Sequence, residues 1–127
     1  MSDTEKPKPG SIVWHDLTVD NADEVRDFYS AVVGWETEAV SMGDYDDHVM
    51  KVAETGEGVT GVCHARGSNA NMPPQWMIYV SVDDVEQAAK KAVEAGGSVV
   101  DGPRSMGGHH FCVVKDPAGA VLGLIQG

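Results

Sequence analysis

The sequence contains few cysteines, few basic residues and no long apolar run. Its two cysteines, Cys63 and Cys112, are too few for a disulfide framework and are not spaced as a redox pair. No stretch approaches the roughly 18 apolar residues of a membrane span, so no membrane partner is expected. The first ten residues lack an apolar segment, so no secretory signal is predicted and a cytoplasmic location is expected.

Positive charge is scarce relative to negative charge. Basic residues number 9 against 20 acidic residues, which gives a net charge of −11. Because nucleic acids and anionic membrane surfaces are bound through basic patches, we expect neither as a main partner. The net charge of the whole chain does not predict the charge inside a pocket, because the local charge can differ from the average over the chain. The length of 127 residues, 42% of them hydrophobic, fits one domain with an ordinary core.

Two segments of the sequence each predict a strand followed by a helix. The first strand covers about residues 11–19, and its helix ends at Gly34. The apolar residues of that helix fall on one predicted stripe, formed by Val25, Phe28, Tyr29, Val32 and Val33. The second strand begins at Trp76, and its helix covers residues 85–95.

A shift of 63 residues aligns these two segments and indicates an internal repeat. It places Trp14 on Met77, Leu17 on Val80 and Gly34 on Gly97. The repeat predicts an α+β fold of two βαβββ modules. We expect a flexible tail at residues 1–10 and a single domain at 11–126, divided into module 1 (11–65), a linker (66–75) and module 2 (76–126).

Four motifs in fixed order cover nearly the whole of residues 11–126. They are WHDLTVD (14–20), FYSAVVGW (28–35), VSVDDV (80–85) and DPAGAVLGL (116–124). Their order and spacing resemble the vicinal oxygen chelate superfamily, which includes glyoxalase I, bleomycin-resistance proteins and extradiol dioxygenases. The resemblance implies that the two modules form a half-open barrel around a cavity. It also implies a possible homodimer, because relatives of this length often pair two chains.

Metal-binding members of that family carry ligands at four positions, and this sequence departs from the pattern at all of them. The resemblance places these positions at Trp14, Gly61, Met77 and Gly123. Indole and glycine offer no donor side chain, and a thioether is a soft ligand. His15 is one residue out of phase, which in a strand means the opposite face. We therefore expect no metal at the family site and no cofactor.

Strand alternation predicts which side chains line the cavity. The predicted ligand-binding residues are Trp14, Asp16, Thr18, Cys63, Met77, Tyr79, His109 and Phe111. Their character suits a small apolar or aromatic molecule, with Ser81 as a further polar anchor. Asp16, Tyr79 and His109 are the candidate catalytic residues, for proton transfer. In the alternative interpretation, Trp14, Met77 and Phe111 fill the barrel and leave no usable cavity.

Three functions stay open at this point, and the sequence does not decide whether the protein is an enzyme. The first is a metal-free small-molecule binding protein of the glyoxalase and bleomycin-resistance type. The second is a metal-free acid–base enzyme, and the third is a metal-dependent lyase or isomerase of the lactoylglutathione-lyase type. His48 and His64 have no ligand-like spacing with His109, and nothing in the sequence activates Cys63 as a nucleophile.

Overall fold

The computed structural model describes residues 7–106 and 108–126, without the side chain of Met106. The order strand, helix and three strands occurs twice along the chain, which confirms the α+β class and the two βαβββ modules. The elements are β1 (Ile12–Val19), α1 (Ala22–Val33), β2 (Glu36–Ser41), β3 (Asp46–Lys51), β4 (Gly58–His64), a short 3-10 turn (Gly67–Asn69), β5 (Trp76–Ser81), α2 (Val85–Glu94), β6 (Ser98–Met106), β7 (His109–Lys115) and β8 (Val121–Gln126).

The described chain divides into two compact units. The central unit comprises His15–Trp76, and the terminal unit comprises the described residues before His15 together with those after Trp76. The chain therefore passes from the terminal unit to the central unit within β1. The predicted boundaries of tail, modules and linker stay a prediction, and residues 1–6 of the tail lie outside the described residues.

In the central unit the strand order is β2-β3-β4-β1, with β1 parallel to β4 and the other pairs antiparallel. The buried core on the helix side consists of Leu17, Val19, Ala22, Met50 and Val62. Val25 and Tyr29 of α1 pack against that core. All six residues of the outermost strand, β2, are exposed.

Helix α1 buries less of its apolar stripe than its sequence predicts. Gly34 ends the helix in a left-handed conformation, with φ of 84°, which glycine adopts without steric cost. Val25 and Tyr29 face the core, but Phe28 and Val32 are 57% and 65% exposed. The stripe is therefore wider than the surface of the central unit that it covers.

The terminal unit repeats this connectivity, with the strand order β5-β8-β7-β6 and β5 parallel to β8. Its helix-side core consists of Val85, Ala89, Cys112, Val114 and Leu124. The Asp84 side chain caps α2 by accepting hydrogen bonds from the backbone N–H groups of Glu86, at 3.0 Å, and Gln87, at 3.2 Å. Within residues 7–106 and 108–126, neither helix has the length and apolar character of a membrane span.

Candidate functional site

The face of the central sheet that lies away from α1 carries three of the predicted ligand-binding residues. Leu17, Val19 and Val62 point toward the helix, so the alternating residues Asp16, Thr18 and Cys63 point to the other face. Thr18 stands opposite Cys63 in the β1–β4 register, and Asp16 stands opposite Gly61. These three residues are therefore brought together on one face, and their role in ligand binding stays a prediction.

Cys63 lies between two carboxylates on this face. Burial, and then the negative charges of Asp47 and Asp16, raise the pKa of the Cys63 thiol to about 12. Asp47 also accepts a hydrogen bond from the backbone N–H of His64 at 2.8 Å, which fixes the carboxylate in place. Because the thiolate is the reactive form of cysteine, Cys63 at neutral pH is a hydrogen-bonding thiol and not a nucleophile.

In the terminal unit, the corresponding face is apolar and buried. Met77, Tyr79 and Phe111 are all buried, as is Val113. Tyr79, Gly123 and Val113 form one row across β5, β8 and β7, and Phe111 belongs to the next row. The predicted lining residues of this unit thus share one continuous sheet face.

The Tyr79 ring covers Gly123, one of the four positions at which the resemblance to metal-binding proteins places a ligand. A Cβ atom added at Gly123 would stand only 2.7 Å from Tyr79 Cε1, closer than real side chains approach. The ring therefore uses the space that a donor side chain would need, and Met77 offers a buried thioether. Together with Trp14 and Gly61, these residues do not fit the family's metal ion.

Arg104 lies beside Phe111, a position that the sequence motifs do not predict. The Arg104 guanidinium lies over the Phe111 ring, with Cζ 4.5 Å from the ring centroid. Asp101 holds it in place, with 2.8 Å between Arg104 Nη2 and Asp101 Oδ2 and 3.1 Å between Nε and Oδ1. A guanidinium stacked on an aromatic ring and paired with a carboxylate is a rigid polar group. No local pattern predicts this pair, because residues three apart in a regular strand point to opposite faces, and the register shifts in β6 bring Asp101 and Arg104 together.

The remaining predicted residues are more accessible. Trp14 is 44% exposed, and His109 is exposed at the start of β7. Ser81 is buried, and its hydroxyl donates to the backbone carbonyl of Pro7 at 3.4 Å. Ser81 is thus engaged by the chain segment before β1.

A second polar cluster lies on the helix-facing side of the central sheet. His48 Nε2 is 2.8 Å from Asp23 Oδ1, and His64 Nε2 is 3.8 Å from the same oxygen. The hydrogen bond from His48 lowers the pKa of the Asp23 carboxyl; burial opposes this effect, and the charges of His64, His48 and Arg26 add to the lowering. The spacing of His48 and His64 in the sequence predicts no shared role, because the two residues lie 16 positions apart and the β3–β4 pairing brings them together.

Comparison with known proteins identifies relatives of this chain. The sequence profile of the glyoxalase/bleomycin resistance protein/dioxygenase superfamily matches residues 11–124. CFP32 of Mycobacterium tuberculosis, provisionally named a glyoxylase, is 31% identical over 120 residues, covering 92% of this chain and 44% of CFP32. The anthracycline biosynthesis protein DnrV of Streptomyces peucetius is 28% identical over 118 residues, covering 93% of this chain and 42% of DnrV. The chain spans less than half the length of these relatives.

Solved structures share the fold at low sequence identity. A superfamily member from Vibrio splendidus has a TM-score of 0.55 at 12% identity, over 92% of this chain and 100% of that chain. A variant of methylmalonyl-CoA epimerase from Streptomyces coelicolor, in complex with 2-nitronate-propionyl-CoA, has a TM-score of 0.50 at 18% identity, over 94% and 98% of the two chains. The repeated strand order, the matched residues and these structures agree, and the chain belongs to the glyoxalase/bleomycin resistance protein/dioxygenase superfamily.

Proposed function

We propose that the protein binds a small planar, apolar or aromatic molecule on a sheet face that lies away from a helix, without a metal ion. The observation that carries the proposal is the Tyr79 ring over Gly123, which puts an aromatic surface at a position where the family carries a metal ligand. Met77 and Phe111, both buried, lie on the same sheet face of that unit. Apolar walls with a few fixed polar groups are typical of small-molecule sites.

Each unit carries polar groups of its own that suit hydrogen bonding to the edge of a ligand. In the central unit, Thr18 and the protonated Cys63 thiol are hydrogen-bonding groups, and Asp16 is an acceptor. In the terminal unit, Arg104 is held rigid by Asp101 and Phe111. The name of DnrV, an anthracycline biosynthesis protein, supports an aromatic ligand with oxygen substituents.

The test is a thermal-shift screen with planar aromatic probes, including an anthraquinone sulfonate and 1-naphthol. A ligand specific to the native state raises the unfolding temperature by mass action. In a W35F/W76F variant, Trp14 is the remaining tryptophan, and its fluorescence is expected to change with saturable dependence on the probe. The matched control is a W14F/W76F variant that retains Trp35. No thermal shift with any probe, or a silent Trp14, would favour the alternative in which the apolar residues only fill the interior.

A metal-free acid–base enzyme is the second candidate, because Asp16 is a partly exposed carboxylate on the proposed binding face. In that case Asp16 is the proton-transfer group, and Asp16→Asn abolishes turnover while ligand binding persists. A metal-dependent lyase or isomerase is the least supported class, because the four family positions lack suitable donors.

We further propose that two copies of the chain pair in solution, in the cytoplasm. The exposed apolar residues Phe28, Val32 and Val33 on α1 form a surface suited to a second copy. The curated relatives are more than twice as long as the aligned stretch, which leaves room in them for a second such domain. The two free cysteines suit a reducing compartment.

A further inference from the structure

Two basic side chains share the sheet face of the terminal unit that lies away from α2. Along β7, Cys112 belongs to the core under α2, so the alternating residues His109 and Phe111 point to the other face. Arg104 shares that face, because its guanidinium lies over the Phe111 ring. The ring of Tyr79, which carries the proposed binding surface, lies on the same face. A ligand bound there therefore meets basic groups of the same unit.

Arg104 and His109 are diagonal neighbours in the β6–β7 hairpin. Arg104 stands opposite Phe111 and Met106 opposite His109, and the pairs between them follow in regular antiparallel order. Diagonal neighbours on one face of an antiparallel pair stand about 7–8 Å apart, which long side chains span. An imidazole donates a ring N–H whether it is neutral or protonated. A small acceptor group between the two side chains can therefore receive hydrogen bonds from both.

The Asp101 carboxylate orients Arg104 before a ligand arrives. It accepts from Nε at 3.1 Å and from Nη2 at 2.8 Å, and the Arg104 side chain stays 23% exposed. A guanidinium carries five N–H donors in one plane, which matches the flat geometry of a carboxylate. Because a carboxylate and an aromatic ring already restrain the guanidinium, binding an oxyanion costs it little conformational freedom.

The corresponding face of the central unit has the opposite charge. After burial, the negative charges of Asp47 and Asp16 are the causes that raise the pKa of the Cys63 thiol, so both carboxylates act on that face. They repel an anionic group of a ligand, whereas the guanidinium of the terminal unit attracts one. The charge of a ligand therefore discriminates between the faces of the two units.

The spacing of the strand positions indicates the size of the ligand. Tyr79 and Val113 belong to one row across the sheet, and Phe111, with Arg104 above it, belongs to the next row. Positions two residues apart in a strand stand roughly 7 Å apart. Two fused aromatic rings with one acid substituent span that distance, with the rings beside Tyr79 and the acid at Arg104.

We propose that the terminal unit selects an aromatic acid, whose carboxylate is bound by Arg104 and His109 and whose rings lie beside Tyr79. This inference rests on the proposed function and adds the charge of the ligand, which that function leaves open. The net charge of −11 does not oppose the selection, because exposed charges are screened over about 8 Å at physiological ionic strength. The contact with Arg104 is shorter than that distance.

The experiment is equilibrium dialysis with two probes, 2-naphthoate and 2-naphthamide, which share their rings and shape and differ in charge. We expect the unmodified chain to bind the naphthoate about tenfold more tightly, because hydrogen bonds between charged groups are the stronger ones. Arg104→Gln is expected to weaken binding of the naphthoate about tenfold and that of the naphthamide less than about twofold. His109→Gln is expected to weaken binding of the naphthoate about threefold.

Arg66→Gln is the matched control, because it removes the same charge from a similar stack in the central unit. The Arg66 Cζ atom lies 4.4 Å from the centroid of the Tyr45 ring, and its Nη2 lies 3.5 Å from Asp44 Oδ2. The ratio of the two affinities is expected to stay unchanged in this variant. Circular dichroism checks that each variant is folded, and His109→Gln, at an exposed position, decides the outcome if Arg104→Gln unfolds.

The outcomes separate this inference from the proposed function. Equal affinities of the two probes, an unchanged ratio in the deciding variant, or a ratio that falls in Arg66→Gln would overturn the selection of an acid. In each of these cases the proposed binding of an aromatic molecule still stands, because both probes bind. Failure of both probes to bind the unmodified chain would reject the inference and the proposed function together.

Discussion

Tyr79 stands directly opposite Gly123 in the parallel β5–β8 register, and its ring lies over the backbone of that glycine. The equivalent pair in the central unit is Asp16 opposite Gly61, in the β1–β4 register. The two units therefore place different side chains opposite the equivalent glycine. In the terminal unit this side chain is the Tyr79 ring, and in the central unit it is the Asp16 carboxylate.

Gly123→Ala is expected to destabilise the protein, because the new methyl group would collide with Tyr79. Overpacking of this kind costs about 1–3 kcal/mol. Gly61→Ala is the matched control, since its Cβ would meet Cys63 Sγ at 3.5 Å and Asp16 Cβ at 3.7 Å, which are ordinary contacts. Urea unfolding measures both, and equal losses of stability would contradict the packing of Tyr79 on Gly123.

Both cysteines are expected to react slowly with Ellman's reagent in the native protein at about pH 8. Burial first, and then nearby acidic groups, raises the pKa of Cys63 to about 12 and that of Cys112 to about 11, from 9.0. Unfolding in urea is expected to restore fast reaction at both sites. Asp47→Asn removes one of the charges beside Cys63, so it lowers that pKa and speeds the native reaction. A fast reaction in the unmodified native protein would contradict this environment.

Because the pKa values of both thiols are raised in the folded protein, we expect its stability to fall at high pH. Their pKa values are higher in the folded than in the unfolded protein, so the unfolded chain loses these protons first as the pH rises. The free energy of unfolding is therefore expected to decrease above pH 9.0, the ordinary value for cysteine. A Cys63→Ser/Cys112→Ser variant is expected to show a smaller decrease between pH 8 and pH 10. An identical pH dependence in that variant would contradict the prediction.

The helix caps predict a difference between two similar substitutions. Asp84→Ala removes two hydrogen bonds to the backbone at the start of α2, and its expected cost is about 1 kcal/mol. Asn21→Ala is expected to cost less, because the Asn21 side chain makes no capping hydrogen bond and donates to Glu24 instead. Thermal unfolding compares the two variants, and a larger loss for Asn21→Ala would show that the cap assignment is wrong.

Val32→Lys is expected to separate the proposed dimer into monomers while leaving the unfolding temperature of each chain nearly unchanged. Val32 is 65% exposed, so the charge stays in water in the monomer but opposes burial against a second copy. Val93→Lys, at a comparably exposed position on α2, is the control and is expected to keep the dimer. Light scattering measures the mass; a dimer that survives Val32→Lys would exclude this surface as the interface.

Sequence patterns predicted the repeated elements and the alternation of strand faces, because both depend on local periodicity. Leu17 and Val62 point to the helix side as expected, and Asp16 and Cys63 point away from it. The patterns did not predict the exposure of Phe28, since an apolar stripe does not reveal how much of it a neighbouring sheet covers.

Sequence patterns also did not predict contacts between side chains on different strands, because these contacts depend on how the strands pair. His48 and His64 meet through the antiparallel register of β3 and β4, and Arg104 reaches Phe111 through that of β6 and β7. That second register contains two shifts, between Val99 and Asp101 and between Asp101 and Arg104, which simple alternation does not anticipate. Polar clusters that depend on such pairings are identified from the structure and not from the sequence.

The exposed strand β2 has a consequence for how the protein behaves in concentrated solution. Among the described residues, β2 pairs with β3 on one side only, and its free backbone edge is a template to which another chain could add a strand. Glu36 and Glu38 stand on that strand, and the whole chain is strongly acidic. Like charges repel one another, so the acidic excess opposes the addition of a second copy of the chain to the edge of β2.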